Sequence, residues 1–335
     1  MRGRVTINDV ARTAGVSVAT VSKVINGRYG VAAATSERVQ EVIERLGYES
    51  SLVARSLRSR RTNVLGILVA EFEPFSTEIL KGASRAVAGT GFDLLAYSGA
   101  AHGGGDVGWE RRSLSRLSGT LIDGAVLVTP TVVEVRDDVP VVAIDPHRGP
   151  SGIATVDADN DAGAVLATAH LIALGHRRIG FLGGRPDLES SRQREEGFRS
   201  AMAAAGLPVD PALVRVGGYK REGADRPAHE LLARPDRPTA VFAANDLMAL
   251  ATIDAARDVG LRVPQDLSVV GFDDVPEAVA ATPPLTTVAQ PIQQMGAEAI
   301  GLLVELVAGR EVATEHVRLP TRLVERGSTA PPPDS

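Results

Sequence analysis

Near the N-terminus, apolar residues recur with the period of short α-helices. Val10, Ala11 and Ala14 make one apolar stripe, and Gly15 suits the left-handed conformation that ends a helix. Thr6 begins the segment as a helix-capping residue, because an aspartate follows it three positions later. The pattern predicts a first helix that ends in a tight glycine turn.

A second short helix follows that turn, and its two faces differ in character. Val21 and Val24 face inward, whereas Val18, Ala19 and Lys23 lie on the opposite face. This outward face is small, nearly flat and carries one cation, as a helix that enters a DNA major groove requires. Taken alone, the segment also fits an ordinary helical hairpin. A third amphipathic pattern over 39–46, closed by a glycine, predicts one more helix.

Beyond these three predicted N-terminal helices, which we call the head, short apolar runs alternate with segments of helical length. The runs cover 64–70, 93–98, 124–129, 139–145, 177–184, 239–245 and 267–274. Helices are predicted between them, for example at Asp159–Leu174, Glu189–Gly206 and Asn245–Gly260. Strands buried on both faces and alternating with helices predict an α/β body with parallel sheets. At this length two similar lobes are expected rather than one core.

Charge separates these two parts of the chain. The whole chain carries a formal charge of −5, but residues 1–61 hold eleven arginines and lysines against five acids, a net charge of +6. The remainder is therefore at −11. A basic head on an acidic body indicates a phosphate-binding head. The basic segment 50–61 is too short for a stable isolated helix, so we expect either a hinge helix that forms on DNA or a flexible tether.

These segments together resemble one known family. TINDVARTAGVSVATVSKVING, ERVQEVIERLGYES and LVARSLRSRRTNVLGILV match, in order and spacing, the lactose-repressor/galactose-repressor (LacI/GalR) family of bacterial transcription regulators. Further along, LGHRRIGFLGG, AVFAANDLMALA, VPQDLSVVGFDD and PPLTTVAQP also resemble that family. The resemblance covers nearly the whole chain.

The resemblance implies an all-α helix-turn-helix head joined to a two-lobed, periplasmic-binding-protein-like α/β core. We assign residues 1–49 to the head, 50–61 to the hinge, 62–326 to the core and 327–335 to a disordered tail. Within the core, lobe one is expected at about 62–158 plus 291–320, and lobe two at about 159–290 plus 321–326. The family's members imply a homodimer that binds double-stranded operator DNA.

The resemblance also places the DNA contacts. Base reading falls on Val18, Ala19 and Lys23, and the apolar wedge that enters the minor groove falls on Leu57. The full set of predicted DNA-binding residues is Thr6, Ser17, Val18, Ala19, Thr20, Ser22, Lys23, Asn26, Arg55 and Leu57. Ala32 departs from the family, which usually has a capping serine there, so helix three is expected to start later, at Thr35, or to be less firmly held.

Effector contacts are expected where strands end at the cleft between the lobes. The predicted set is Phe75, Ser76, Tyr97, Asp145, Arg194, Tyr219, Asn245 and Asp273. The resemblance implies roles for Arg194, Tyr219, Asn245 and Asp273 in holding a small ligand. Other roles stay open: Asn245 and Asp273 as helix caps, Phe75 and Tyr97 as core residues, and Arg194 as the ion partner of a neighbouring glutamate on its helix.

Arginine, asparagine and aspartate with an aromatic ring favour a neutral mono- or oligosaccharide. A purine or other corepressor could use the same planar groups. A cytoplasmic sugar-binding module and an enzyme on the α/β core are the alternatives from other classes. No cysteine is present, and no metal spacing, phosphate loop or nucleophile motif occurs, so neither cofactor nor catalysis is expected. No secretion signal or apolar run of membrane length is found, which predicts a cytoplasmic protein.

Overall fold

The computed structural model describes residues 5–25, 29–48, 61–99, 107–132, 139–150, 152–312 and 314–333. The chain forms two compact units, one within Met1–Thr62 and one that holds nearly all residues from Asn63 to Ser335. Each unit has its own apolar core. No helix in the described part of the chain is long and apolar enough to cross a membrane.

The described part of the head contains helices α1 (Ile7–Ala14), α2 (Val18–Ile25) and α3 (Ala33–Leu46). Gly15 ends α1 with a φ of 64°, as its sequence position predicts. Buried residues from the three helices, among them Val10, Val21 and Val39, form one small core. The late start expected for α3 is wrong: the helix begins at Ala33, and Ala32 precedes it without a side-chain cap.

The first lobe of the body is built on a six-stranded parallel sheet. Its strands are β1 (Val64–Val69), β2 (Asp93–Ser98), β3 (Gly124–Val128), β4 (Val141–Ile144), β5 (Ala154–Ala158) and β11 (His316–Leu319), in the spatial order β11-β5-β4-β3-β1-β2. Helices α4 (Pro74–Ala86), α5 (Trp109–Leu117) and α11 (Ile292–Val307) belong to this lobe. Helices α4 and α11 pack closely at glycines: a Cβ on Gly82 would lie 1.8 Å from the Gln293 carbonyl oxygen.

The second lobe repeats the plan. Its strands are β6 (Ile179–Gly183), β7 (Val214–Val216), β8 (Ala240–Ala243), β9 (Ser268–Asp273), β10 (Thr286–Ala289) and β12 (Arg322–Val324), in the order β12-β10-β9-β8-β6-β7. Among the strands of the described ranges, only β12 runs antiparallel to its neighbour. The helices are α6 (Asn160–Ala173), α7 (Glu189–Ala204), α8 (Arg221–Leu232), α9 (Asp246–Asp258) and α10 (Pro276–Ala280). Phe181 stacks on Phe198 in the core, with ring centroids 5.0 Å apart.

The chain passes between the two sheets three times, as the resemblance implies. It leaves the first sheet after β5, returns through α11 to β11, and crosses again between β11 and β12. This arrangement places the carboxyl ends of the parallel strands of both lobes around one cleft.

The expected disorder of the C-terminal tail is wrong for residues 327–333. Ser328 is fully buried; its hydroxyl donates to the Val269 carbonyl (2.6 Å), and the Val269 amide donates to the Ser328 carbonyl (2.8 Å). The Ala330 carbonyl lies 2.9 Å from Nε2 of the buried His176. Hydrogen bonds to distant residues of the second lobe hold this segment in place. Its polar, proline-rich composition does not show such bonds, so the sequence alone predicted disorder.

Candidate effector site and DNA-binding head

A cavity of about 190 Å³ lies in the cleft between the two lobes of the body. The chain segments at the carboxyl ends of strands from both sheets line it, which is where ligands bind in open α/β sheets. Its lining residues are Val69, Ala70, Glu71, Glu73, Phe75, Ser76, Val128, Thr129, Asp145, His147, Arg185, Leu188, Ser190, Arg194, Gly218, Tyr219, Lys220, Asn245, Asp273 and Gln290. Seven of the eight predicted effector residues are among them.

Four non-glycine residues of this lining have a left-handed backbone. Thr129, Asp145, Tyr219 and Asp273 have φ values of 46°, 48°, 68° and 117°. L-residues adopt this region at a cost of about 1–3 kcal/mol each, and such residues concentrate at functional sites. The backbone around the cavity is therefore held in place by the surrounding fold.

Arg194 on α7 is the central cation of the cavity. Its side chain is 5% exposed; Nε donates to Asn160 Oδ1 (2.9 Å), and Nη1 donates to the Ala244 carbonyl. The guanidinium carbon lies 3.8 Å from the centroid of the Phe272 ring, a cation–π contact. Arg194 does not pair with Glu189 or Glu195 of its own helix, which bind other arginines. The nearby groups fix its position before any ligand arrives.

Two carboxyl groups face this cation, those of the buried Asp273 and the half-buried Asp145. Asp273 accepts from Gln290 Nε2 (2.6 Å) and lies 3.4 Å from Nη1 of Arg194. Burial raises the pKa of Asp273 to about 6, although the Arg194 charge opposes the shift. Burial also raises the pKa of Asp145, and again Arg194 opposes it. The site thus holds carboxyl groups that can accept or donate hydrogen bonds according to their protonation state.

Asn245 and Tyr219 form one connected unit at the edge of the second lobe. Asn245 caps α9, since its Oδ1 accepts from the Met248 amide (3.0 Å), so the capping role left open by the sequence is observed. Its Nδ2 donates to the Tyr219 carbonyl (3.0 Å). The Tyr219 hydroxyl is buried beside Ser190, another residue of the cavity lining, and burial raises the pKa of Tyr219. Its ring packs on Gly184, where a Cβ would lie 2.2 Å from Cζ.

The first lobe contributes the start of α4. Ser76 is buried, and its hydroxyl donates to the carbonyl groups of Glu71 and Glu73 at 2.9 Å. Phe75 is half-buried and packs against the core of the first lobe. Tyr97, the eighth predicted residue, lies half-buried on the edge strand β2 and is not part of the cavity lining. Its position near the end of a strand suggested the cleft, but β2 is the edge strand of its sheet, and the sequence does not show the order of the strands.

An ionic cluster at the cavity wall was not predicted from the sequence. Lys220 of the second lobe lies 2.7 Å from Oε2 of Glu71 and 3.7 Å from Oε1 of Glu73, both in the first lobe. The hydrogen bond to Glu71 raises the pKa of Lys220. Burial raises the pKa of Glu73, while the Lys220 charge lowers it. Single charged residues in loops carry no sequence pattern, so only the fold reveals this cluster.

In the head, the predicted outward face of α2 is present. Ala19 and Lys23 are exposed, while Val18 is half-buried against the head core. Ser17 caps the helix, because its Oγ accepts from the Thr20 amide (3.1 Å). Exposed Thr6 donates through its backbone amide and its hydroxyl to Asp9 at the start of α1. Ser22 is half-buried. The predicted contacts Asn26, Arg55 and Leu57 lie outside the described residues.

The fold and the cavity define a two-lobed ligand-binding body attached to a helix-turn-helix head. Residues 6–51 match the family "Bacterial regulatory proteins, lacI family", and residues 168–329 match the "Periplasmic binding protein-like domain". The chain is 35% identical to the HTH-type transcriptional repressor PurR of Photobacterium profundum, over 96% of this chain and 98% of the relative. It is 36% identical to the ribose operon repressor of Escherichia coli (strain K12), over 96% and 99%.

Solved structures of similar chains are also transcriptional regulators. The "transcriptional regulator CelR-cellobiose complex" is 36% identical with a TM-score of 0.72 and covers 97% of this chain and 100% of its own. The lac repressor dimer bound to operator and the anti-inducer ONPF is 27% identical with a TM-score of 0.84, over 98% and 100%. The chain therefore belongs to the LacI family. It is a DNA-binding transcriptional regulator, and its relatives are repressors rather than enzymes, as the sequence predicts.

Proposed function

We propose that this protein is a homodimeric, cytoplasmic repressor whose operator affinity is controlled by a neutral monosaccharide bound in the cavity. The observation that carries the proposal is the Arg194 guanidinium near both Asp273 and Asp145, in a cavity that Tyr219 also lines. Vicinal hydroxyl groups both donate and accept, so they match a cation beside carboxyl groups.

The charges of the cavity favour a neutral ligand. Arg194 is shared between two carboxyl groups, Lys220 lies between Glu71 and Glu73, and Arg185 binds Asp187 (2.7 Å). Burial lowers the pKa of His147, which disfavours its cationic form. Among the described lining residues, every arginine and lysine is thus already paired, and a phosphate group would face a surplus of acids.

The size of the cavity favours a single sugar ring. The cavity, of about 190 Å³, is small for a ligand pocket, since such pockets usually measure about 300–1,000 Å³. We therefore propose one ring rather than two linked rings. Solved relatives hold saccharides of both sizes: a regulator from Enterococcus faecium has bound ribose, and the CelR regulator is a cellobiose complex.

A nucleobase is the second candidate, because the cavity also offers planar groups. Asp273 and the Gln290 amide lie side by side (2.6 Å), and a carboxyl group with a pKa of about 6 can donate or accept toward a base edge. The half-buried Phe75 ring offers a stacking surface.

Two heads are required because one helix-turn-helix module buries too little surface for tight, specific binding. A dimer would read two half-sites of a pseudo-palindromic operator. A sugar that prefers one arrangement of the two lobes shifts the population toward that arrangement, and operator affinity changes by the ratio of its affinities for the two states. We propose that the sugar is an inducer.

A gel-shift titration with the DNA upstream of the protein's own gene tests this proposal. D-ribose, D-glucose, cellobiose, ribose 5-phosphate and hypoxanthine would be added singly to the complex. Release of the DNA by a free monosaccharide, at concentrations where the phosphorylated sugar and hypoxanthine have no effect, supports the proposal. A response only to hypoxanthine or to the phosphorylated sugar contradicts the effector class, and tighter binding with a sugar contradicts the inducer role.

A further inference from the structure

The ionic cluster of Glu71, Glu73 and Lys220, which we call the mouth triad, joins the two lobes directly. Lys220 is the residue immediately before α8 in the second lobe, and Glu73 is the residue immediately before α4 in the first. All three line the cavity. The ammonium group therefore bridges the cleft only when the lobes are close enough for contacts of 2.7 and 3.7 Å.

We propose that the mouth triad sets an upper size limit on the effector by holding the cleft closed around a single sugar ring. This inference rests on the proposed function, because it concerns the size of the saccharide that the cavity accepts. A second ring or a bulky aglycone that leaves the cavity past Lys220 would separate the ammonium from Glu71. The protein would then lose the interlobe pair on binding such a ligand.

The position of the triad distinguishes it from ordinary surface ion pairs. A neighbouring arginine of this surface pairs within its own lobe: Arg221, the next residue along, binds Asp254 of the same lobe. Such a pair is unaffected by the separation of the lobes. Lys220 and Glu71 are about half exposed, at 51% and 46% of their side chains, so solvent screens their attraction. We therefore expect a moderate effect, about three- to fivefold in an equilibrium constant.

Calorimetric titration of the full-length protein tests the size limit with matched pairs of probes. These are D-ribose with methyl β-D-ribofuranoside, and D-glucose with cellobiose. The wild type is expected to prefer the free monosaccharide, and Lys220→Ala is expected to reduce that preference about three- to fivefold. Arg221→Ala, the matched control next to it, should keep the wild-type ratio. An unchanged ratio in Lys220→Ala overturns the proposal.

A second measurement needs no sugar and separates the two proposals. The chain has no cysteine, so Ser115→Cys on α5 and Arg226→Cys on α8 can carry a spin label on each lobe. Both positions are exposed. Adding Lys220→Ala should shift the interlobe distances toward longer values, and adding Arg221→Ala should not. An identical distance distribution in the Lys220→Ala protein overturns the triad's role even if a sugar binds. If none of the sugars binds, the proposed effector class is wrong. The distance comparison still shows whether the mouth triad holds the two lobes together.

Discussion

Arg194 and Asp273 meet inside the cavity, with Nη1 of the guanidinium 3.4 Å from Oδ1 of the carboxyl group. Both side chains are less than a tenth exposed. This distance is long for a charge-assisted hydrogen bond, and Asp273 receives its shorter bond from Gln290 (2.6 Å). The pair is thus close enough to interact, and a ligand hydroxyl could still bond to either member.

Arg194→Ala should weaken monosaccharide binding by about 30-fold or more, because one member of a buried, hydrogen-bonded charged set is removed. Operator binding without sugar should change little, since α7 lies in the body. The matched control is Arg199→Ala on the same helix, which removes an exposed ion pair with Glu195. Calorimetry with the sugar that the wild type binds measures the effect. Equal affinities in the two variants would contradict the placement of the effector.

The raised pKa of Asp273 predicts a pH dependence of stability. The carboxyl group titrates at a pKa of about 6 in the folded protein and near its ordinary value of 3.8 in the unfolded chain, so the folded state holds more protons between these values. The contribution of Asp273 to the free energy of unfolding is therefore largest at low pH, and it falls as the pH rises from about 4 to about 6.

Asp273→Asn removes this contribution, together with one of the charges that raise the pKa of the buried Asp246. The difference in unfolding free energy between wild type and variant should fall with pH across that window, by at most about 1.4 kcal/mol per pH unit for one proton. Chemical denaturation at half-unit intervals measures it, and Asp187→Asn serves as the control because the pKa of that exposed carboxyl is lowered by Arg185. A flat or rising difference would show that Asp273 is not held in its neutral form.

Gly82→Ala should destabilise the first lobe, because the new Cβ would lie 1.8 Å from the backbone oxygen of Gln293. The helices α4 and α11 must then move apart, and we expect a loss of about 1–3 kcal/mol or more. Gly301→Ala on α11 is the control: nothing lies within 4 Å of its Cβ, so it should stabilise by about 0.5–1 kcal/mol. Thermal unfolding gives both values, and a neutral Gly82→Ala would mean that the two helices pack less closely.

Much of this fold is predictable from the sequence, because long amphipathic helices and buried apolar runs have strong periodicity. Helix α7 begins at Glu189, the residue predicted. Five strands lie outside the seven predicted runs for a common reason, since each is short and contains polar or charged residues. They are β5 (ATVDA), β7 (VRV), β10 (TTVA), β11 (HVRL) and β12 (RLV). Their pairing partners specify them, and those partners lie far away in the sequence.

The sequence predicted a cavity residue only where that residue stands in a recognisable motif. Arg194, Asn245 and Asp273 stand in recognisable motifs and do line the cavity. Lys220 and Glu71 stand in loops 149 positions apart, and only the closure of the lobes brings them together. Asn160, which orients Arg194, was missed because it lies 34 residues away at the start of α6.

Lys23→Ala should relax the base preference of each half-site. Lys23 is exposed on α2, and its ammonium can donate to a guanine edge in the major groove. Loss of this contact should cost about 1–3 kcal/mol at one base position and leave other positions unchanged. Arg38→Ala removes an exposed cation of α3 and is the control; any loss of affinity there should be uniform across sequences. Binding to a library of single-base operator variants distinguishes the two, and identical profiles would refute the role of Lys23.

Leu57 is predicted from the family resemblance to wedge into the minor groove at the centre of the operator. Leu57→Ala should abolish the DNA bend and much of the operator affinity while sparing sugar binding. Circular-permutation gel shifts report the bend. A variant that bends the operator like the wild type would show that the hinge residue has been wrongly assigned.

The coupling between sugar and operator is the central claim, and calorimetry with and without operator DNA tests it most directly. Thermodynamic linkage requires the sugar to weaken operator binding by the same factor as the operator weakens sugar binding, and allosteric factors of this kind are typically about 5 to 150. We predict two equal factors well above one in the wild type. A sugar that binds in the cavity with the same affinity whether or not the operator is bound would contradict the account.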